Sequence, residues 1–286
     1  MTSILYADGH LHSNPVKGLG AKNIAQRFKA SDGWFMVLVS LPPHHYNLTS
    51  DFDGYVKSIE ILISECSTLR SYGIETLCLA GIHPADIEEM INRDARSAKS
   101  IIELAIRVLD YISQLVKNGT IDGFGEVGRP HYKALPEAFS VNNIIMRYAL
   151  TLARDLGAYI HLHLEQGGYA TVRDVYEVLR MLNIDSRRVI LHHLDIRTAL
   201  EAENYGLHYT IPGKYPILRE AIRRLPPSYI VESDFIDDPR RPGVSSYPWD
   251  AVENQKKLLS GNLTDSEYIT KINIENVVKI YGVEPP

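Results

Sequence analysis

The stretch Ile4-Leu5-Tyr6-Ala7-Asp8-Gly9-His10-Leu11-His12 is an apolar run that ends in two histidines one residue apart. Read as a strand it alternates faces, so Asp8, His10 and His12 point one way and Leu11 the other. Two imidazoles on one strand face can close on a single metal ion. An isolated His-x-His is more often a solvated turn than a ligand pair. The balance shifts because later apolar runs also end in a histidine or a carboxylate.

Outward from that stretch the chain repeats one pattern. Trp34 to Leu41, bounded by Gly33 and Pro42, is apolar almost without interruption, as suits a strand buried on both faces. Further strands are expected at Glu75 to Ala80, Ile121 to Val127, Ala158 to Leu164, Arg188 to Leu194, Leu207 to Ile211 and Tyr229 to Ser233. Helical spacing is read over Asn23 to Lys29, Asp51 to Tyr72, residues 86 to 118, Ala138 to Leu156, Thr171 to Leu182, Tyr215 to Arg224, Trp249 to Ser260 and Asp265 to Tyr281. Gly73, Gly119 and Gly157 stand where three of these helices should stop. Eight buried-type strands alternating with helices, with no Gly-, Ser- or Pro-rich linker, predict a single α/β domain over residues 1 to 286. A closed (β/α)8 TIM barrel is favoured over a doubly wound open sheet. Polar residues collect at the strand ends, and only a barrel brings all of those ends to one C-terminal mouth.

Composition narrows the function by exclusion. With 45% hydrophobic and 23% charged residues the chain is ordinary for a globular protein. No apolar stretch approaches the roughly 18 residues of a membrane span, and no basic segment precedes a signal-like core. A cytoplasmic protein with no membrane partner is therefore expected. Cys66 and Cys78 are read as buried small hydrophobes rather than a disulfide framework. The net charge of −5 argues against a broad basic surface gripping duplex nucleic acid.

The strand ends supply His10 and His12, His83, Glu126, His161 and His163, His192 and His193, and Asp234. Imidazole and carboxylate donors in that number match zinc and related divalent ions. Each alone has a tame explanation: a salt-bridged carboxylate, a core histidine, a helix cap. Jointly, burying so much polarity without a cation would cost several kcal/mol per unpaired charge.

These motifs resemble a family. Asp8-Gly9-His10-Leu11-His12, Gly81-Ile82-His83-Pro84, Gly125-Glu126-Val127-Gly128, the Leu162-His163 and Leu191-His192 strand ends and Glu232-Ser233-Asp234 are similar, in order, to the motifs of TatD-like metal-dependent hydrolases of the amidohydrolase superfamily. Gly128-Arg129-Pro130-His131 and Asp237-Asp238-Pro239-Arg240-Arg241-Pro242-Gly243 resemble an archaeal branch. The resemblance implies a barrel with one or two divalent ions, zinc first, manganese or magnesium as alternatives. It implies that His10 and His12 hold the first metal, Glu126 bridges both, and His163 and His192 hold the second. Asp234 would complete the first site and act on the nucleophilic water. His163, six residues past Gly157, takes the family position on the fifth strand, which leaves His161 outside the ligand set or facing substrate, with Asp8 and His83 in similar supporting places. On the sixth strand His192 takes the family position, and His193 is expected to face outward or towards a loop.

Two departures bear on substrate. Bacterial members of the resembled family usually carry an arginine shortly after the fifth-strand histidine and an aspartate shortly after the fourth-strand glutamate. Here Glu165 and the segment Arg129-Pro130-His131 stand there. Arg129 is the expected contact for an anionic substrate group, while Lys214 reads as an ordinary loop cation. The expected reaction is hydrolysis by a metal-activated water, with Asp234 accepting its proton. The leading substrate is a phosphate ester such as a nucleic-acid end. The alternatives are a small amide, lactone or phosphoester, and a non-catalytic metal-binding scaffold.

Overall fold

A computed structural model describes residues 4–93, 96–239 and 246–286. Eight parallel strands run in sequence order around a nearly closed (β/α)8 TIM barrel: β1 (Tyr6–Leu11), β2 (Gly33–Val39), β3 (Glu75–Ala80), β4 (Gly123–Gly128), β5 (Tyr159–His163), β6 (Val189–Leu191), β7 (His208–Pro212) and β8 (Ile230–Glu232). The first and last strands close the ring through Asp234 N–H to the His10 carbonyl at 2.9 Å and His12 N–H to the Phe235 carbonyl at 2.8 Å. A polar mouth on the C-terminal strand ends follows from this closure.

Strand residues sort by face. Phe35, Val37, Val39, Leu77, Leu79, Ile190 and Ile230 pack in one inner cluster, while Met36, Leu38, Leu162, Leu191 and Val231 pack outward against the helices. Two strands break the alternation where the chemistry lies. On β1 the register shifts between Asp8 and Leu11, and Ala7 rather than Asp8 joins the inner cluster. Simple alternation over Asp8, His10 and His12 is therefore corrected by a bulge, a device that re-aims side chains beside functional sites. On β4 the register shifts between Phe124 and Val127, and both of those pack outward, leaving Glu126 to the barrel interior. Gly128 follows at φ +150°, where a Cβ would meet the His163 carbonyl oxygen at 1.9 Å.

The helices are α1 (Gly20–Ala30), α2 (Phe52–Ser71), α3 (Pro84–Asn92), α4 (Ala98–Lys117), α5 (Pro136–Leu156), α6 (Tyr169–Met181), α7 (Ile196–Asn204), α8 (Tyr215–Arg224), α9 (Pro248–Ser260), α10 (Ser266–Thr270) and α11 (Asn276–Tyr281). Three expectations are corrected. The helical pattern over residues 86 to 118 is two helices, because Ser97 caps a new start by accepting from Ser100 N–H at 3.2 Å. Helix α7 went unread; Asp195 caps it, accepting from Thr198 N–H at 2.7 Å. Cys66 on α2 and Cys78 on β3 are buried as expected but are joined as a disulfide, their Cα atoms 6.3 Å apart. Among the described residues no helix is long and apolar enough to cross a membrane.

The last helix plugs the barrel floor. Val277, Ile280 and Tyr281 enter the inner cluster beside Phe35. A π-helical turn, Lys271–Glu275, sets them there: Asn273 Oδ1 accepts from Ala7 N–H at 3.0 Å, and its carbonyl accepts from Trp34 Nε1–H at 3.1 Å. The polar mouth and the apolar floor thus share one axis.

Candidate metal centre

Glu126 stands at the middle of the mouth with its two oxygens facing different histidines. His163 Nδ1 and His192 Nε2 each lie 2.8 Å from Oε2 and 3.1 Å from one another. On the other side His12 Nε2 lies 3.3 Å and His10 Nε2 3.9 Å from Oε1. Asp234 groups with His10 and His12, its oxygen within 4.8 Å of their nitrogens. All of these strand-end residues meet, although their ranges are up to 224 positions apart, from His10 to Asp234.

The second nitrogen of each imidazole shows which atom is left for a cation, since a ligating histidine donates its other N–H to a neighbour. His12 Nδ1 lies 3.0 Å from the Val39 carbonyl, so it carries the proton and Nε2 keeps its lone pair. His10 Nδ1 backs onto His161 Nδ1 at 3.1 Å. His192 Nδ1 looks towards Glu232 Oε2 at 3.7 Å, an oxygen that also accepts from Thr210 Oγ1–H at 2.6 Å. His163 Nε2 meets His131 Nδ1 at 2.7 Å. His83 is arranged differently: its Nδ1 accepts from Ala85 N–H at 3.0 Å to cap α3, so its Nε2 carries the proton and points at Glu126 Oε1, 3.6 Å away. That turns the polar N–H edge of His83 towards the carboxylate, beyond hydrogen-bond distance.

The electrostatics follow from burial. Burial pushes the Glu126 carboxyl up, but attraction from His83 and His192 and hydrogen bonds from His12 and His163 outweigh it and hold the group well below the usual range. Burial lowers His192, yet the Glu126 charge beside it wins and lifts the ring to about 10. Burial, aided by the Glu232 charge, raises Asp234 to about 7. Asp8 is also raised by burial to about 7, with partial relief from Ser233, whose N–H donates to Asp8 Oδ1 at 2.8 Å; His10 N–H donates to the same oxygen at 3.2 Å.

A divalent ion suits this donor set. His10 Nε2, His192 Nδ1, His193 Nε2, Glu232 Oε1 and Asp8 Oδ2 are buried atoms with no hydrogen-bond partner. Orphans of that kind each cost a desolvation penalty of ~1–3 kcal/mol, and His10 Nε2, 3.9 Å from Glu126 Oε1, is the one that faces the central carboxylate directly. His10, His12, Glu126 and Asp234 would hold one ion, and Glu126, His163 and His192 a second, with imidazole and carboxylate donors of the kind zinc takes.

The mouth opens as two lobes that share His12, His83 and Glu126. One, of about 520 Å³, runs over His44, His45, Asp86, Glu89, Arg93 and Asp238. The other, of about 500 Å³, runs over His131, Tyr132, His193, Lys214 and Asp234. Three sequence expectations change here. Arg129 is turned away from substrate: its Nε and Nη2 donate to Glu165 at 2.9 and 2.8 Å, Nη1 donates to Asp174, and the side chain is only 3% exposed. The two departures from the resembled family thus meet as an ion pair. Lys214 lines the mouth instead. His193, expected to face outward, turns in at φ +48° with its Nδ1 3.9 Å from Asp234 Oδ2. Sequence reasoning gave no role to His131 and Glu232 and turned His193 the wrong way. Glu232 was legible two residues before Asp234 on the same strand, but His193 was not, because only an unusual backbone angle turns it inward. Of the segment Asp237 to Gly243 that resembled an archaeal branch, Arg240 to Gly243 lie outside the described residues.

Comparisons with known proteins give the family and the fold. The family model described as TatD related DNase matches residues 7–282. An uncharacterized protein of Methanocaldococcus jannaschii, MJ1127, is 28% identical over 99% of this chain and 98% of its own length. Among solved structures, a TatD-like protein from Archaeoglobus fulgidus superposes with TM-score 0.65 at 17% identity, covering 97% of this chain and 100% of that one. A TatD homolog from Escherichia coli gives 0.67 at 14%, covering 97% and 98%. The phosphotriesterase homology protein of Escherichia coli, solved with phosphate in its active site, gives 0.64 at 13%, covering 98% and 100%. At these structural identities the likeness is one of fold.

Proposed function

Since the chain belongs to the TatD-related DNase family, we propose that it is a divalent-metal-dependent hydrolase whose first substrate class is phosphate esters, with the end of a nucleic-acid strand the leading candidate. The observation that carries the reading is Glu126, with one oxygen turned to His163 and His192 and the other to His10 and His12. Divalent ions held there, zinc first with manganese or magnesium as alternatives, would acidify water and polarise the scissile oxygen.

The chain's own residues supply the rest. Asp234 accepts the proton of the attacking water, standing with His10 and His12 at the mouth and with its Oδ2 3.9 Å from His193 Nδ1. His83 turns Nε2 towards Glu126 Oε1 at 3.6 Å and so adds favourable electrostatics to the central carboxylate. Asp8 ties His10 to the strand that carries Asp234. Lys214 and Arg93, one on the rim of each lobe, place positive charge where an anionic ester would enter. His161 supports His10 from behind. Residues 1 to 286 are read as one barrel domain that works in the cytoplasm.

A second reading, hydrolysis of a small lactone, amide or phosphoester, is favoured by the net charge of −5 and by the withdrawal of Arg129 into the Glu165 pair. The discriminating experiment is a panel of single-stranded DNA, duplex DNA, RNA, small phosphodiesters and lactones offered to protein reconstituted with zinc or manganese. Release of nucleotides from an end supports the first reading. Turnover of small esters with no cleavage of any nucleic acid supports the second.

A further inference from the structure

A line of buried polar groups runs down the barrel axis from the mouth to the floor. His10 Nδ1 lies 3.1 Å from His161 Nδ1, and His161 Nε2 lies 2.9 Å from the hydroxyl of Tyr281. The His10 and His161 rings stack with centroids 5.4 Å apart. His10 and His161 have no exposed surface, and Tyr281, at the end of α11, is wedged against Phe35 and Tyr159. His10 and His161 are fully buried, so each of their ring protons is placed by its neighbour in the line.

Only one arrangement admits a cation. If the His10 Nε2 lone pair is given to a metal, the ring's proton sits on Nδ1 and is donated to His161 Nδ1. His161 then carries its own proton on Nε2 and donates it to the Tyr281 oxygen. In the opposite arrangement Tyr281 donates to His161 and His161 to His10, which places a proton on His10 Nε2, the atom facing Glu126 Oε1. We infer that His161 and Tyr281 are positioning residues of the first cation site: they hold His10 in the metal-binding tautomer and join cation binding at the mouth to docking of α11 on the floor. Such coupling is reciprocal, so the cation tightens the helix as much as the helix favours the cation. The inference rests on the reading of His10 as a ligand given above.

Tyr281→Phe tests it, because the ring keeps its packing and only the acceptor for His161 Nε2–H is removed. Zinc affinities of chelator-stripped protein, read by competition with a chromophoric chelator, should show one of the two dissociation constants raised about tenfold and the other unchanged. Hydrogen exchange should show zinc protecting the amides of α11 in the wild type and protecting them less in Tyr281→Phe. A measurement on the unmutated chain covers the case in which the variant fails to fold. Nitrogen-15 spectra of the zinc-loaded protein should find His10 protonated on Nδ1 and His161 on Nε2. Wild type that binds two zinc ions, with both constants unchanged in Tyr281→Phe or with His161 protonated on Nδ1, overturns the relay and leaves the metal centre standing. Wild type that binds no zinc, manganese or magnesium overturns the metal centre itself.

Discussion

At Arg129 and Glu165 the charges that the resembled family places in the opposite order are found paired with each other, and this changes what each residue is expected to do. Arg129 is a buried structural cation. Arg129→Ala should cost about 2–3 kcal/mol of stability, less than the ~3–5 of a fully enclosed pair because Glu165 and Asp174 keep partial contact with solvent. It should leave the affinity for an anionic inhibitor such as inorganic phosphate unchanged. Urea unfolding and phosphate titration of the same variant read both; weakened phosphate binding with unchanged stability would restore the substrate role. Asp234→Asn is expected to bring turnover down at least a hundredfold, in line with loss of a general base, while most of the metal stays bound. Retention of near wild-type activity would remove Asp234 from that role. That His10, His12, Glu126, His163, His192 and Asp234 gather at one mouth was legible because residues at strand ends keep their place through any small error in strand boundaries. The fates of Arg129 and His193 were not. They turn on which partner a long side chain reaches and on a single backbone angle, neither of which has a sequence pattern.

Among the elements, the β1–α1 connection is held by a residue from the far end of the chain. Asp237, just past β8, is 2% exposed and accepts from Asn14 and Gly20 N–H at 2.9 Å and from Leu19 N–H at 2.7 Å. Removing that carboxylate would strand three backbone donors beside the histidines of β1. Asp237→Ala should therefore lower stability by about 3 kcal/mol, read as a lower urea midpoint with an unchanged slope. A midpoint within error of the wild type would mean that the loop is held by other contacts. The strands themselves were readable as continuous apolar runs. Helix α7 was not: Ile196, Ala199 and Ala202 are its buried apolar residues, too few and too small to stand out as a stripe. The break between α3 and α4 was hidden because apolar spacing resumes on the second helix with nothing but Ser97 to mark the new start.

For the molecule as a whole, the mouth concentrates titratable groups whose values differ from those of the unfolded chain, so the stability of the metal-free protein must depend on pH. Burial lowers His83 and His161 to about 3 and His131 to about 4, and it also lowers His10, His163 and His193. The unfolded chain takes up protons at these sites near 6.5 and the folded chain refuses them, so their stabilisation is complete above about pH 6.5 and is lost as pH falls. Asp8 and Asp234, raised to about 7, act in the opposite sense and favour the folded state at low pH. His192, raised to about 10, stays protonated in both states across this window. The six imidazoles outnumber the two carboxylates, so the urea midpoint of chelator-treated protein should fall between pH 6.5 and pH 4. A midpoint that rises on acidification would contradict the buried neutral imidazoles.

The account stands or falls on Glu126 serving two cations at once, and the most direct test is the metal content of the chain after chelator stripping, reconstitution with excess zinc or manganese and removal of the unbound ion. Two equivalents per chain are predicted for the wild type, with both weakened in Glu126→Ala because each ion loses a ligand. One equivalent or none in the wild type, or two that survive Glu126→Ala with unchanged affinity, would contradict it.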